Sequence, residues 1–143
     1  MAITGLLYGK VFTALWNKEV DYDTDTITVG GSTSTYTPDQ DAHDYLNDIT
    51  NEVSGGGYSR QTLGTKTVTY TGATNKHVLD AADTVFTTAT FTVRVFWLAD
   101  TSPGSDATRP LIGYQSSSVD ITGGGGDMTL QWASAGIVEI TVS

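Results

Sequence analysis

From Leu63 to the C-terminus the chain is cut by a turn signal about every eight to twelve residues, the spacing of short antiparallel strands. The punctuation falls at 72–75, 80–83, 101–109 and 123–126, all rich in Gly, Asp, Asn, Ser or Pro. Between these turns the residues alternate. Val68 and Tyr70 share one face of a strand over 63–71, and 76–80 starts the next. Val85 and Phe86 follow. The strongest strand, 91–99, sets Phe91, Val93, Val95 and Trp97 on one side. It adds Phe96 and Leu98 on the other, so its later part is expected to be buried on both faces. Residues 110–114 and 119–121 form two further short strands. Met128, Leu130 and Trp132 alternate in the next, and after Gly136 a closing strand sets Val138, Ile140 and Val142 against Ile137, Glu139 and Thr141. Such punctuation leaves no room for long helices. It predicts a mainly β, antiparallel β-sandwich or barrel-like sandwich. With 143 residues, no internal repeat and no linker, the chain reads as one domain over 1–143.

The N-terminal third adds one or two short helices. Over 9–19, Val11, Phe12, Leu15 and Trp16 fall at helical spacing. The segment 1–20 is therefore expected to be a helical piece whose aromatic face packs on the sheet. A strand follows over 26–35, weakened by Gly30 and Gly31, which signal a bulge or a close backbone approach. The stretch 37–53 is the best helical candidate, with Thr37 or Asp39 as cap and Pro38 in the first turn. Tyr45, Leu46, Ile49 and Val53 would be buried, with Asp41, Asp44, Asp48 and Glu52 outward. The alternative is an ordered loop with one helical turn.

Charge and motif content narrow the function. The net charge is −9, and the seven basic residues are scattered from Lys10 to Arg109, so a phosphate backbone would be repelled and no nucleic-acid partner is expected. No apolar run approaches the length of a membrane span, and the first residues lack the positive start and cleavage site of a signal peptide. The expectation is a soluble protein made in the cytoplasm. There is no cysteine, hence no disulfide and no thiolate chemistry. Asp21, Asp23 and Asp25 open like a calcium loop, but Thr26 and Ser32 stand where Gly and Glu are required. His43 and His77 are isolated from each other and suit no zinc site. No nucleophile elbow occurs, and the glycine runs 55–57 and 123–126 lack the Lys-Ser/Thr of a phosphate loop. No catalytic, cofactor-binding or metal residue is therefore assigned, and no enzyme activity is expected. Trp16, Trp97 and Trp132 lie on apolar periodic faces and read as core. The competing reading is a sugar-binding platform of exposed aromatics, with Tyr36, Tyr45, Tyr58 and Tyr114 as loop or edge candidates.

One pattern extends across most of the chain. Trp16-Asn17-Lys18-Glu19-Val20-Asp21 leads to Asp25-Thr26-Ile27, then to the run Tyr36-Thr37-Pro38-Asp39-Gln40-Asp41-Ala42-His43-Asp44-Tyr45. Thr50-Asn51-Glu52-Val53, Gly57-Tyr58, Pro110-Leu111-Ile112-Gly113 and Gly136-Ile137 continue it. This resembles a group of small virion structural proteins of tailed bacteriophages, encoded among the head genes. It departs from them at Gly30-Gly31-Ser32, where such proteins more often carry apolar residues, which leaves the burial of that strand open. The resemblance implies a capsid decoration (cement) protein on the outer surface of the shell. Its partner would be the major capsid protein, and it would self-associate, often as a trimer. A tail or neck component is the structural alternative, and a carbohydrate-binding surface module the other. Decoration predicts an exposed apolar or strand-edge patch near the N-terminal helix or the Gly-rich turns.

Overall fold

The computed structural model describes residues 3–142. Its centre is a five-stranded antiparallel sheet in the order β1-β8-β7-β2-β3. These strands are β1 (Ile3–Leu7), β2 (Ile27–Ser32), β3 (Gln61–Thr62), β7 (Thr92–Asp100) and β8 (Leu111–Thr122). Two smaller antiparallel sheets accompany it. One pairs β6 (Thr84–Phe86) with β9 (Met128–Leu130), and the other runs β10-β5-β4, from β4 (Thr67–Thr71), β5 (Lys76–Asp80) and β10 (Val138–Thr141). The mainly β, sandwich-like expectation is met.

The central sheet separates two apolar clusters. On one face Ile27, Val29, Phe96, Leu98 and Ile112 pack with Phe86, Leu130 and Trp132 and with Val11 and Ala14 of the helix α1 (Val11–Trp16). On the other, Val95, Trp97, Ala99 and Leu111 pack with Tyr8, Tyr36 and Leu46. The later part of β7 is thus buried on both sides, as its sequence implies. Val93, however, joins the first cluster and Val95 the second. The pairing with β8 shifts register between them, so simple alternation fails at Arg94. That same irregularity lets β8 run on through 116–118, where the sequence suggested a break.

Residues 3–7 form an edge strand rather than part of a helical segment, with Leu6 opposite Tyr114 of β8. The helix that follows is six residues long and turns its small stripe, Val11 and Ala14, inward. Its aromatic side is not the packed side. Trp16 is 85% exposed, with Phe12 and Leu15 partly so. A helix this short covers one narrow stripe, and Val11 and Ala14, three apart, occupy it.

The expected helix over 37–53 is a loop with one 3-10 turn, Leu46–Asp48. Its own acids explain why. Asp39 Oδ1 accepts the N–H groups of Asp41 and Ala42, and Asp48 Oδ2 accepts those of Asp44 and Tyr45. Side chains that capture nearby backbone donors compete with helix. The loop is strapped to the sheet by Leu46 N–H to Arg109 O and Leu111 N–H to Asp44 O. The expected strand over 63–71 shortens to β4, and Gly64 and a left-handed Thr65 separate it from β3, which lies just before the expected segment.

The glycine pair of β2 marks a close approach. All six residues of β2 are buried, and a Cβ at Gly30 would lie 2.0 Å from Cζ2 of Trp97. The missing side chain is the space that the indole fills. Among the described residues, no helix is long and apolar enough to cross a membrane.

Candidate docking surface

The polar side chains brought together by the fold are engaged with one another. Arg60, on the approach to β3, donates Nε to Glu52 Oε1 at 2.8 Å and Nη2 to Glu52 Oε2 at 2.7 Å. It also reaches Asp106 at 3.3 Å, which accepts from Arg109 Nη1 at 2.7 Å. Burial works against the Asp106 carboxylate, but hydrogen bonds from both guanidinium groups hold it below the usual range. The Arg60 guanidinium lies 5.2 Å from the centre of the Trp97 ring. Tyr58 completes the brace, donating to Glu52 Oε1 at 2.7 Å and accepting from Gly31 N–H at 2.9 Å. These bonds join the loop 33–60 to the inner strands of the sheet.

A second network lies under the same loop. His43 Nδ1 accepts the Asp39 N–H at 3.2 Å, so Tyr36 donates to it at 3.0 Å and Tyr8 donates to Tyr36 at 2.8 Å. Tyr8 is fully buried, and burial pushes its phenol far above the ordinary value. Both networks fix the loop to the sheet, and every bond in them ends on the chain itself.

Asp100, at the end of β7, is different. It is fully buried, and Oδ1 accepts the Ser102 N–H at 2.8 Å while Oδ2 has no partner among the described residues. Burial first, and the facing Asp25 carboxyl second, push it up to about 6 against the Ser102 bond. A proton on this carboxyl removes a buried charge, which is what burial favours.

The residues weighed from sequence divide cleanly. Trp97 and Trp132 are core, but Trp16 is not. Tyr36 and Tyr114 are buried, Tyr58 is bound in the Arg60 brace, and Tyr45 donates to Glu19 at 3.0 Å, so these four tyrosines form no joint aromatic platform. His43 belongs to the tyrosine network, while His77 is an exposed strand residue whose ring lies tilted against that of Tyr70, centres 4.6 Å apart. Asp21 and Asp25 bond backbone N–H groups of their own turn. Among the described residues, no three His, Asp or Glu side chains are placed to hold a metal ion.

What remains available to a partner is an apolar face. Phe12 and Leu15 of α1 border a groove with Val20, Tyr22, Leu79, Val138 and Ile140, and Trp16 stands beside it in solvent. The groove continues into a cleft of about 410 Å³. Gly5, Gly113 and Gln115 line one part of it, and Phe12 and Val138 another. The one charged residue lining either hollow is Glu139, and Lys76 pairs with it at 2.6 Å. In a chain of net charge −9, this face is locally neutral.

No family model, curated protein or solved structure matches the chain.

The sequence led to the expectation of an exposed apolar or strand-edge patch near the N-terminal helix or the Gly-rich turns, but assigned the aromatic face of that helix to the core. The signal available was length. A helix ending at Asn17-Lys18, with Lys18 in a left-handed conformation, is too short to bury both Val11 and Trp16.

Proposed function

We propose that this chain is a non-enzymatic structural virion protein, a capsid decoration (cement) protein that binds the outer surface of a tailed-phage major capsid shell. The observation that carries the reading is the exposed, uncharged apolar face of α1, with Trp16 85% exposed beside an apolar groove. Exposed aromatic anchors next to hollows are the common centres of protein–protein contacts. The resemblance, over most of the chain, to small virion structural proteins of tailed phages supplies the kind of partner, the major capsid protein. The internal bracing by Arg60 and by the tyrosine network suits a domain that must stay rigid on a particle. An acidic remainder of the surface suits particles that must stay dispersed. Many weak copies on a lattice would hold collectively through multivalency.

The test is cosedimentation of the protein with phage shells that lack it, followed by electron microscopy. Saturable binding at regular lattice positions is expected. Trp16→Ala should weaken shell binding at least about 30-fold while leaving the fold intact, because the side chain supports no internal packing. Absence of binding, or density at the tail vertex alone, would remove the decoration reading and favour a tail or neck component.

A further inference from the structure

The strand β4 is an unguarded sheet edge. It ends the order β10-β5-β4, and all five of its residues, Thr67-Val68-Thr69-Tyr70-Thr71, are exposed. Edge strands are ordinarily protected from pairing by a charge, a proline, a bulge or extreme shortness. β4 has no charge and no proline, and its five-residue pairing with β5 is regular throughout. Of the other edges, β3 is two residues long and β10 carries Glu139, while β1 is uncharged as well but has Gly5 at its centre, which weakens a strand.

We propose that β4 pairs with β4 of a second copy of this chain, antiparallel about a two-fold axis through Thr69, joining two three-stranded sheets into one of six strands. The sequence of the strand is self-complementary in that register. Thr69 faces Thr69 of the other copy, Thr67 faces Thr71, and Val68 faces Tyr70. Because side chains alternate, both Val–Tyr pairs fall on one face and the threonines on the other. An aromatic–β-branched pair and Thr–Thr pairs are among the favourable cross-strand combinations. On its apolar face the strand already continues a stripe through His77, Leu79, Val138 and Ile140, set by the register of β5 with both neighbours. Val68 and Tyr70 are about half exposed there, and pairing covers them. Charge favours the same place. Two copies of net charge −9 repel over most approaches, but β4 brings no acid against an acid. The axis generates a closed pair of identical contacts.

The stripe behind β4 shares Leu79, Val138 and Ile140 with the groove beside α1, so the variant that separates this contact from shell binding is placed at Thr69, on the opposite face of β4. The chain has no cysteine, so a single introduced thiol reports proximity without background. Thr69→Cys should form a disulfide-linked dimer under mild oxidation, with Ala107→Cys, exposed on a distant loop, as the slow control. The unmodified protein should sediment as a reversible dimer in a series up to about 1 mM, a range that catches weak pairing. Thr69→Lys places like charges opposite each other across the axis and should give a monomer with an unchanged melting temperature, because residue 69 is exposed. A protein monomeric throughout the series overturns the proposal. So does a dimer that survives Thr69→Lys, or crosslinking of Thr69→Cys no faster than that of the control. Dimerisation lost in Thr69→Lys with shell binding retained would separate this contact from the decoration reading.

Discussion

The buried carboxyl of Asp100 makes stability depend on pH in a direction opposite to that of an ordinary salt-bridged acid. In the folded chain it titrates at about 6 against an ordinary 3.8, because burial and the facing Asp25 carboxyl disfavour its charge. The folded state therefore holds a proton that the unfolded state has already lost between about pH 4 and pH 6. Stability from this group is fully present below the unfolded value and is lost as pH rises through the folded one. The rise from 3.8 to about 6 corresponds to ~3 kcal/mol, at about 1.4 kcal/mol for each tenfold change in proton affinity. Asp100→Asn removes the charge while keeping an oxygen for the Ser102 N–H, and its amide can donate towards Asp25. Urea unfolding should find the variant more stable than the parent by up to ~3 kcal/mol at pH 7.5, and by less than about 1 kcal/mol at pH 4. A variant no more stable at pH 7.5, or equally stabilised at both pH values, would refute the reading of Asp100 as a carboxyl whose charge burial disfavours.

Three further outcomes follow from packing and bonding. Gly30→Ala drives a methyl into the Trp97 indole, 2.0 Å from Cζ2, where neither the strand nor the buried ring can yield; urea titration should show a loss of about 3 kcal/mol or more. Tyr58→Phe strands the Gly31 N–H and one Glu52 contact, which should cost about 1–3 kcal/mol in the same assay and leave the sheet content by circular dichroism unchanged. Trp16→Ala, by contrast, should change unfolding free energy by less than about 0.5 kcal/mol, so any effect on shell binding reports contact rather than folding.

The alternating runs and their turns were enough to read an antiparallel β-protein, because alternation and turn chemistry are local properties of the chain. The strand 76–80 and the turn before β9 fall where the residues say. Gly30 and Gly31 announced a close approach, since a paired glycine in a strand has few other uses, but nothing local named Trp97 as the group that approaches. The loop 37–53 misled because its apolar residues do sit at helical spacing, and Leu46 and Val53 are indeed buried. What decides against helix there is the competition of Asp39 and Asp48 for backbone N–H groups, together with the bonds that strap the loop to Arg109 and Leu111.

Sequence alone thus determined the class of fold and most of the places where its strands give way to turns. Tertiary structure decided which of the three tryptophans is left in solvent, which carboxyl is buried with one oxygen unpartnered among the described residues, and that β4 is left as an open edge. The physical reason is the same in each case. A periodic pattern shows that a side chain has neighbours along its own element, whereas burial and pairing are set by elements distant in the chain. Trp97 is covered by a glycine 67 positions away, Asp100 faces an acid 75 positions away, and β4 is open because the sheet it joins ends there.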